Sequence, residues 1–279
     1  CPIPFDILIV NNNSSDDTIN VLQKLSTEAG PPLRFVTETK QGIAHARNRS
    51  IEECIESDYM FVMDDDELPS PGLLDAAYHS LSTEENDCVG GKVEVKFKNN
   101  TKPKWLGEDL LGFLAETNYG NTAFSIKDDS TPIWTANIAY RVGIFRENAD
   151  LRFDIRYNRS GKAVGGGEDE MMFNEWLKRS YKLAYNPAMI VDHYVESWRL
   201  KQSYFYRLHF ISGKRNGLYE LPEYKSSMFG VPAFLFKQAF SKLLKTLLVY
   251  ITNSPNKVRQ GMNASHAFGI IYGYYCRNK

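Results

Sequence analysis

The sequence predicts an α/β fold, a mostly parallel sheet layered with helices, followed by a C-terminal helical appendage. Three observations predict it. Short apolar runs alternate with helical periodicity through the first part of the chain, the pattern of strands joined by crossover helices. Two of those runs end in polar clusters, as strands do when their carboxyl ends open onto a ligand rim. Near the end, Ala233 to Ile251 has an unbroken helical pattern with its polar residues gathered on one half of the wheel.

The elements follow in order. Asp6-Ile7-Leu8-Ile9-Val10 is a β-rich run that ends in the polar turn Asn11 to Ser15. Asp16-Asp17-Thr18 opens a helix with Ile19, Leu22 and Leu25 on one face. Leu33 to Glu38 reads as a strand and Ile43 to Ile55 as a helix, with Ile51, Cys54 and Ile55 at helical spacing. Tyr59 to Met63 is the next strand, Leu73 to Leu81 a helix, and Val89 to Phe97 a strand. The second half is less regular. Lys98 to Ile126 has no firm period and reads as loops, and Pro132 to Val142 as a strand. Gly165-Gly166-Gly167 is a flexible loop before a helix whose apolar face is Met172, Phe173, Trp176 and Leu177. Tyr181 to Tyr194 then carries His193.

Composition narrows the function classes. The chain has 279 residues, 43% hydrophobic and 24% charged, ordinary for a globular protein with one large domain, alone or with an appendage. A net charge of −1 gives no reason to expect nucleic acid as a partner. Cys1, Cys54, Cys88 and Cys276 show no Cys-x-x-Cys spacing, so the reading is reduced thiols and a cytoplasmic location. Asn-x-Ser/Thr triplets such as Asn48-Arg49-Ser50 are taken as chance. No uninterrupted apolar stretch is long enough for a membrane span.

The chemistry concentrates at Asp64, Asp65, Asp66 and Glu67, directly after the apolar run 59–63. Clustered carboxylates raise one another's pKa unless a cation neutralises them. Hard oxygen ligands suit Mg²⁺ or Mn²⁺, usually held by one or two carboxylates plus substrate phosphates. The competing reading is a solvated acidic turn before the helix that Ser70-Pro71 opens. Glu168 and Asp169, after the glycines, are either first-turn acids complementing a helix dipole or carboxylates delivered by a mobile loop as a general base. His193 is either an ordinary polar residue at a strand end or a third metal ligand near Asp66.

Taken together, these motifs resemble family 2 glycosyltransferases, inverting enzymes of the GT-A fold. The matching stretches are Val10 to Thr18, Gln41 to Asn48, Phe61 to Glu67, Thr135 to Ala139, Gly166 to Glu170 and Pro187 to His193, within residues 5 to 215. The resemblance implies a GT-A catalytic domain over 1–215, an α/β/α sandwich, with a C-terminal region over 216–279. It implies that Asp64 and Asp66 form an Asp-x-Asp motif, with Asp66, Asp64 and His193 holding Mn²⁺ or Mg²⁺. Asp169 would be the catalytic base and Glu168 its neighbour. Asn12, Arg47, Asp64, Asp65 and Asn137 would line the site of a nucleotide-sugar donor, a UDP-sugar. The acceptor would be a hydroxyl of a glycan or lipid-linked molecule in cell-surface polysaccharide synthesis. Relative to the family, the chain starts at what would be the second strand, and Ala136 stands where Gly is common. The alternative is a non-catalytic homologue acting as a binding or scaffold protein.

In the helix over 233–251, Lys237, Gln238, Ser241, Lys242, Lys245 and Thr246 share one half of the wheel, with Phe240, Leu243, Leu244 and Leu247 opposite. That pattern predicts a helix lying in a membrane interface on the cytosolic side, or one packed on protein. Ala267 to Tyr275 adds a second contact. Among rival classes, a haloacid-dehalogenase-type phosphatase is disfavoured because Leu68 stands where Thr or Val is usual. An EF-hand fails because Pro69 occupies its Gly position.

Overall fold

The computed structural model describes residues 3–97, 101–159, 164–224 and 229–277. Its contacts divide the chain into two compact units, one of residues 1–96, 115–163 and 167–194, the other of 97–114, 164–166 and 195–279. The C-terminal region expected over 216–279 lies within the second of these units. Helix 202–215 groups with the C-terminal helices.

The first unit begins β1 (Ile7–Asn11), α1 (Thr18–Leu25), β2 (Leu33–Thr37), α2 (Ile43–Glu53) and β3 (Tyr59–Met63). It continues with β4 (Glu67–Pro69), α3 (Leu73–Ser82), β5 (Cys88–Lys96), β6 (Phe124–Ile126), β7 (Asn137–Arg141), α4 (Gly143–Glu147), α5 (Glu168–Lys178) and β8 (Leu183–Tyr194). Strands β1 and β2 pair in parallel as a two-stranded sheet. The other six form a second sheet in the order β3-β7-β5-β8-β4, with β6 also on β8.

The expected α/β architecture is present, but the larger sheet is mixed where a mostly parallel one was expected. β5 pairs with β8 in parallel, while β7 pairs antiparallel with both β3 and β5, and β4 and β6 run antiparallel to β8. Strands β3, β5 and β8, which belong to the strand–helix alternation, thus share one direction. β7 opposes them because a loop rather than a crossover helix leads into it.

Helices cover both faces of this sheet. Ala44 and Ile51 of α2 and Met172, Phe173 and Trp176 of α5 pack with Ile138 and Tyr140 of β7 on one face. Leu73, Ala77 and Leu81 of α3 pack with Val89, Ala139 and Val191 on the other. Successive residues of β7 point to opposite sides, so Ile138 and Tyr140 serve one core and Ala139 the other. Each fully buried large side chain contributes about 1.5–3 kcal/mol. The face expected on α1 is only lightly covered: Leu22 is buried, while Ile19 and Leu25 are exposed.

The second unit holds α6 (Gln202–Arg215), α7 (Ala233–Ile251) and α8 (Lys257–Arg277), besides a 3₁₀ helix over Glu108–Leu114. Any Cβ added at Gly213, Gly217, Gly269 or Gly273 would collide with the backbone of the facing helix. Backbones approach that closely only where glycine stands, and this draws α6 to α8. Trp105, Phe113 and Phe205 form an edge-to-face cluster in the same unit.

Candidate active site

The sheet brings the chemistry to one rim. β3 ends at Met63, which pairs with Asn137 at the start of antiparallel β7, and Glu67 of β4 pairs with His193 near the end of β8. The acidic cluster 64–67, the approach to β7 and the end of β8 therefore lie together.

Arg47 is the centre of the cluster. It is 7% exposed, and its Nη1 donates to Glu168 Oε1 at 2.7 Å and to Asp169 Oδ1 at 2.8 Å. Its Nη2 lies 3.7 Å from Asp64 Oδ1, and the guanidinium stands 5.6 Å from the Phe153 ring centre. One nitrogen of the guanidinium thus serves two carboxylates, and the other faces a third. The sequence reading placed Arg47 against the donor; in the structure its donors face these acids.

Arg47 reaches this position because α2 is anchored at its start. Gly42 has φ 135°, a conformation side-chain-bearing residues rarely adopt, and its N–H donates to Asn12 Oδ1 at 2.5 Å. Asn12 Nδ2 donates to the Lys40 carbonyl at 2.9 Å. Asn158 Oδ1 accepts from the Ala44 N–H at 3.1 Å, capping the helix. Asn12 thus shapes the β2–α2 loop with both ends of its amide.

Asp169 sits in the first turn of α5, and the Thr135 hydroxyl donates to its Oδ1 at 2.7 Å. Burial pushes its carboxyl above the usual aspartate range, while Arg47 and the Thr135 hydrogen bond pull it back. Burial and the adjacent Asp169 also raise Glu168, whose Oε2 has no hydrogen-bond partner among the described residues. Asp169 keeps 22% of its side chain open to solvent, against 4% for Glu168. Of the two acids, Asp169 is the one a substrate can reach.

In the acidic cluster, Glu67 departs from its neighbours. Its side chain is fully buried, its Oε2 accepts from the Asp64 N–H at 2.9 Å, and its Oε1 lies 3.7 Å from His193 Nδ1. Burial, then Asp64 and Asp66, push its carboxyl up to about 9, so it carries a proton at neutral pH. Burial and the flanking Asp66 and Asp64 raise Asp65. Asp66 is half-exposed, with its Oδ1 3.5 Å from His193 Nδ1.

The fit of a divalent cation rests on these donors. No three acidic, histidine or cysteine side chains among the described residues form a complete ligand set. What the structure brings together is one exposed carboxylate, Asp66, one buried imidazole, His193, and Glu67 Oε1 without a hydrogen-bond partner among the described residues. An oxygen-and-imidazole pair that leaves positions open to phosphate oxygens suits Mn²⁺ or Mg²⁺. Asp64, expected as a further ligand, lies toward Arg47.

Asn137, expected to contact the donor, is 1% exposed, and its Nδ2 donates to the Lys92 and Met189 carbonyls at 3.0 Å each. Those bonds strap β7 to β5 and β8. A residue leading into β7 faces the strand interior once the chain turns antiparallel there, which withdraws it from the rim. Thr135 was not assigned a role from sequence; its place two residues before a buried strand was the available signal.

Comparison with known proteins bears on this geometry. Residues 2–148 match the model of glycosyl transferase family 2. A teichoic acid poly(glycerol phosphate) polymerase from Staphylococcus epidermidis is 28% identical over 134 residues, covering 43% of this chain and 18% of that protein. The chain therefore corresponds to a small part of that relative's length. The structure of S. aureus TarS 1–349 in complex with UDP superimposes with a TM-score of 0.51 at 13% identity, covering 99% of this chain and 83% of that one. The mannosyltransferase PcManGT from Pyrobaculum calidifontis, in complex with GDP-Man and Mn²⁺, gives a TM-score of 0.56 at 15% identity, covering 96% and 77%. With a family model matching more than half of its residues, and with the fold shared by these solved structures, the chain belongs to glycosyl transferase family 2.

Proposed function

We propose that the chain transfers a sugar from a UDP-linked donor to an acceptor hydroxyl with inversion at the anomeric carbon. The observation that carries this reading is the Arg47–Glu168–Asp169–Thr135 cluster: one accessible carboxylate, held by a buried guanidinium and a hydroxyl, beside the acidic rim of the sheet. Asp169 takes the proton of the attacking hydroxyl. Arg47 keeps that carboxylate ionised against the cost of burial, and Thr135 fixes which oxygen points outward. Asn12 and Gly42 shape the loop beside which the donor nucleotide lies, and Asp64 and Asp65 border the same rim.

Asp66 and His193 would hold Mn²⁺ or Mg²⁺, which when bound supplies Lewis-acid stabilisation of the departing diphosphate. UDP in the TarS complex and Mn²⁺ in the PcManGT complex support this choice of donor and metal. The teichoic acid polymerase relative supports an acceptor of cell-surface polymer synthesis, a glycan or lipid-linked hydroxyl met on the cytosolic face of the membrane. Among the described residues no helix is long and apolar enough to cross a membrane.

The test is turnover of a panel of UDP-sugars with Mn²⁺. The wild type releases UDP, and Asp169→Asn, which keeps the shape and the Thr135 contact, releases it roughly 10²-fold or more slowly at unchanged UDP affinity. Equal rates for the two proteins would remove Asp169 from the chemistry.

A further inference from the structure

Helices α7 and α8, residues 233–277 with their connecting turn, contain Lys237, Lys242, Lys245, Lys257, Arg259 and Arg277 and no aspartate or glutamate, in a chain of net charge −1. Arg259 and Arg277 are bound by Asp109 and Glu223, and Lys257 donates to Asn253. The ammonium groups of the three lysines of α7 make no ion pair or hydrogen bond among the described residues.

The same helix leaves much of its apolar surface uncovered. α7 buries only Leu235 and Ala239, while Phe240 is 60% exposed, Leu244 49%, Leu247 50%, Leu248 60% and Ile251 82%. At ~100° per residue those five side chains fall in one arc about 100° wide, with Lys237 inside it and Lys245 about 60° beyond its edge. The side of the wheel that holds Leu235 and Ala239 packs on protein, and the strip lies outside it and faces outward. An apolar groove lined by Phe240 of α7 and Phe268 of α8 continues the strip onto the second helix.

We propose that this face docks flat on an anionic lipid bilayer, with Phe240, Leu244, Leu247, Leu248 and Ile251 among the acyl chains and Lys237 and Lys245 at the lipid phosphates. A stripe of aliphatic and aromatic side chains with lysines whose stems reach past it to charged groups is the design of an interfacial helix. The charge decides between occupants. A second copy of this face would set lysines against lysines with no acid to answer them. An anionic surface answers Lys237 and Lys245 together, and each basic group near such a surface favours binding about fivefold. Docking rests on α7 and α8 alone; that it brings the transferase to a lipid-linked acceptor rests on the function proposed above.

Co-sedimentation with vesicles of phosphatidylglycerol and phosphatidylcholine, against pure phosphatidylcholine, tests it. The wild type pellets with the anionic vesicles at low salt and far less with the neutral ones. K237E/K245E loses on the order of 10²-fold in partition onto the anionic vesicles. L244Q/L247Q/L248Q loses binding to the same vesicles through the apolar term. Both variants keep UDP-sugar turnover in solution, which shows that they fold and separates this result from the fate of the transferase reading. The proposal is overturned if the wild type stays in the supernatant with anionic vesicles, or if either variant pellets as the wild type does. It is equally overturned if sedimentation velocity without lipid shows a wild-type dimer that L244Q/L247Q/L248Q dissociates.

Discussion

Replacing Arg47 with methionine removes the charge that Glu168 and Asp169 share while retaining most of the side-chain volume. In the wild type the guanidinium sits 2.7 Å from Glu168 Oε1 and 2.8 Å from Asp169 Oδ1 in a buried setting. Breaking such a buried arrangement by removing one partner typically costs about 3–5 kcal/mol, because the remaining charges are left uncompensated. A domain of ordinary stability, 5–15 kcal/mol, survives that loss by a reduced margin. The catalytic consequence has a definite sign. Burial already raises Asp169, and Arg47 is the first influence opposing it. Without Arg47 the carboxyl rises further, so it is protonated, and inactive as a base, over a wider range of pH. The acidic limb of the pH–rate profile should therefore move to higher pH in Arg47→Met, with the rate recovering toward wild type as the solution becomes alkaline. Arg47→Lys, which keeps the charge but loses the second nitrogen that faces Asp64, should fall between the two. The assay is UDP-sugar turnover across pH, with circular dichroism at each point to confirm folding. A profile lowered equally at every pH would assign Arg47 to substrate contact instead.

Other outcomes follow from the same site. Asp66→Ala should abolish the Mn²⁺ dependence of UDP binding in calorimetry, and unchanged Mn²⁺-dependent affinity would remove Asp66 from the metal site. Thr135→Val should slow turnover by about tenfold with little change in UDP affinity, as the 2.7 Å hydrogen bond that orients Asp169 is lost. Glu67 carries its proton to about 9 in the folded chain, whereas the unfolded carboxyl loses it near 4.5. Between those values the native state holds the extra proton, so stability falls as pH rises, by up to about 1.4 kcal/mol per pH unit. Denaturation of Glu67→Gln in chelator should show that much shallower a slope between neutral and mildly alkaline pH; parallel curves would mean that Glu67 is ionised in the native state.

Much of this site was legible in the sequence because its parts announce themselves locally. Apolar runs ending in polar turns marked β1 and β3, and the glycines before Glu168 marked the start of α5. Direction and partnership were not local. Nothing in the run before Val142 says that β7 runs against its neighbours, yet that reversal buries Asn137 and brings Thr135 to Asp169. Glu67-Leu68-Pro69 has no strand signal of its own; it becomes β4 only by pairing with β8, and the pairing sets Glu67 beside His193. Arg47 and its two acids are 121 and 122 residues apart, and an arginine in a helical pattern reads as solvated until the fold closes over it. In α7 the periodicity marked an amphipathic helix, but Lys237 falls among the exposed apolar side chains and the packed Leu235 on the half that carries the polar residues, and which side packs depended on where α8 lies.

The stereochemistry of transfer decides whether Asp169 acts as the base of a single displacement. With the UDP-sugar that the wild type turns over and its acceptor, the anomeric configuration of the glycoside product can be read by proton NMR and compared with that of the donor. A single displacement with Asp169 as base predicts a product of inverted configuration, lost in Asp169→Asn. A product of retained configuration, or inversion at undiminished rate in that variant, would contradict it.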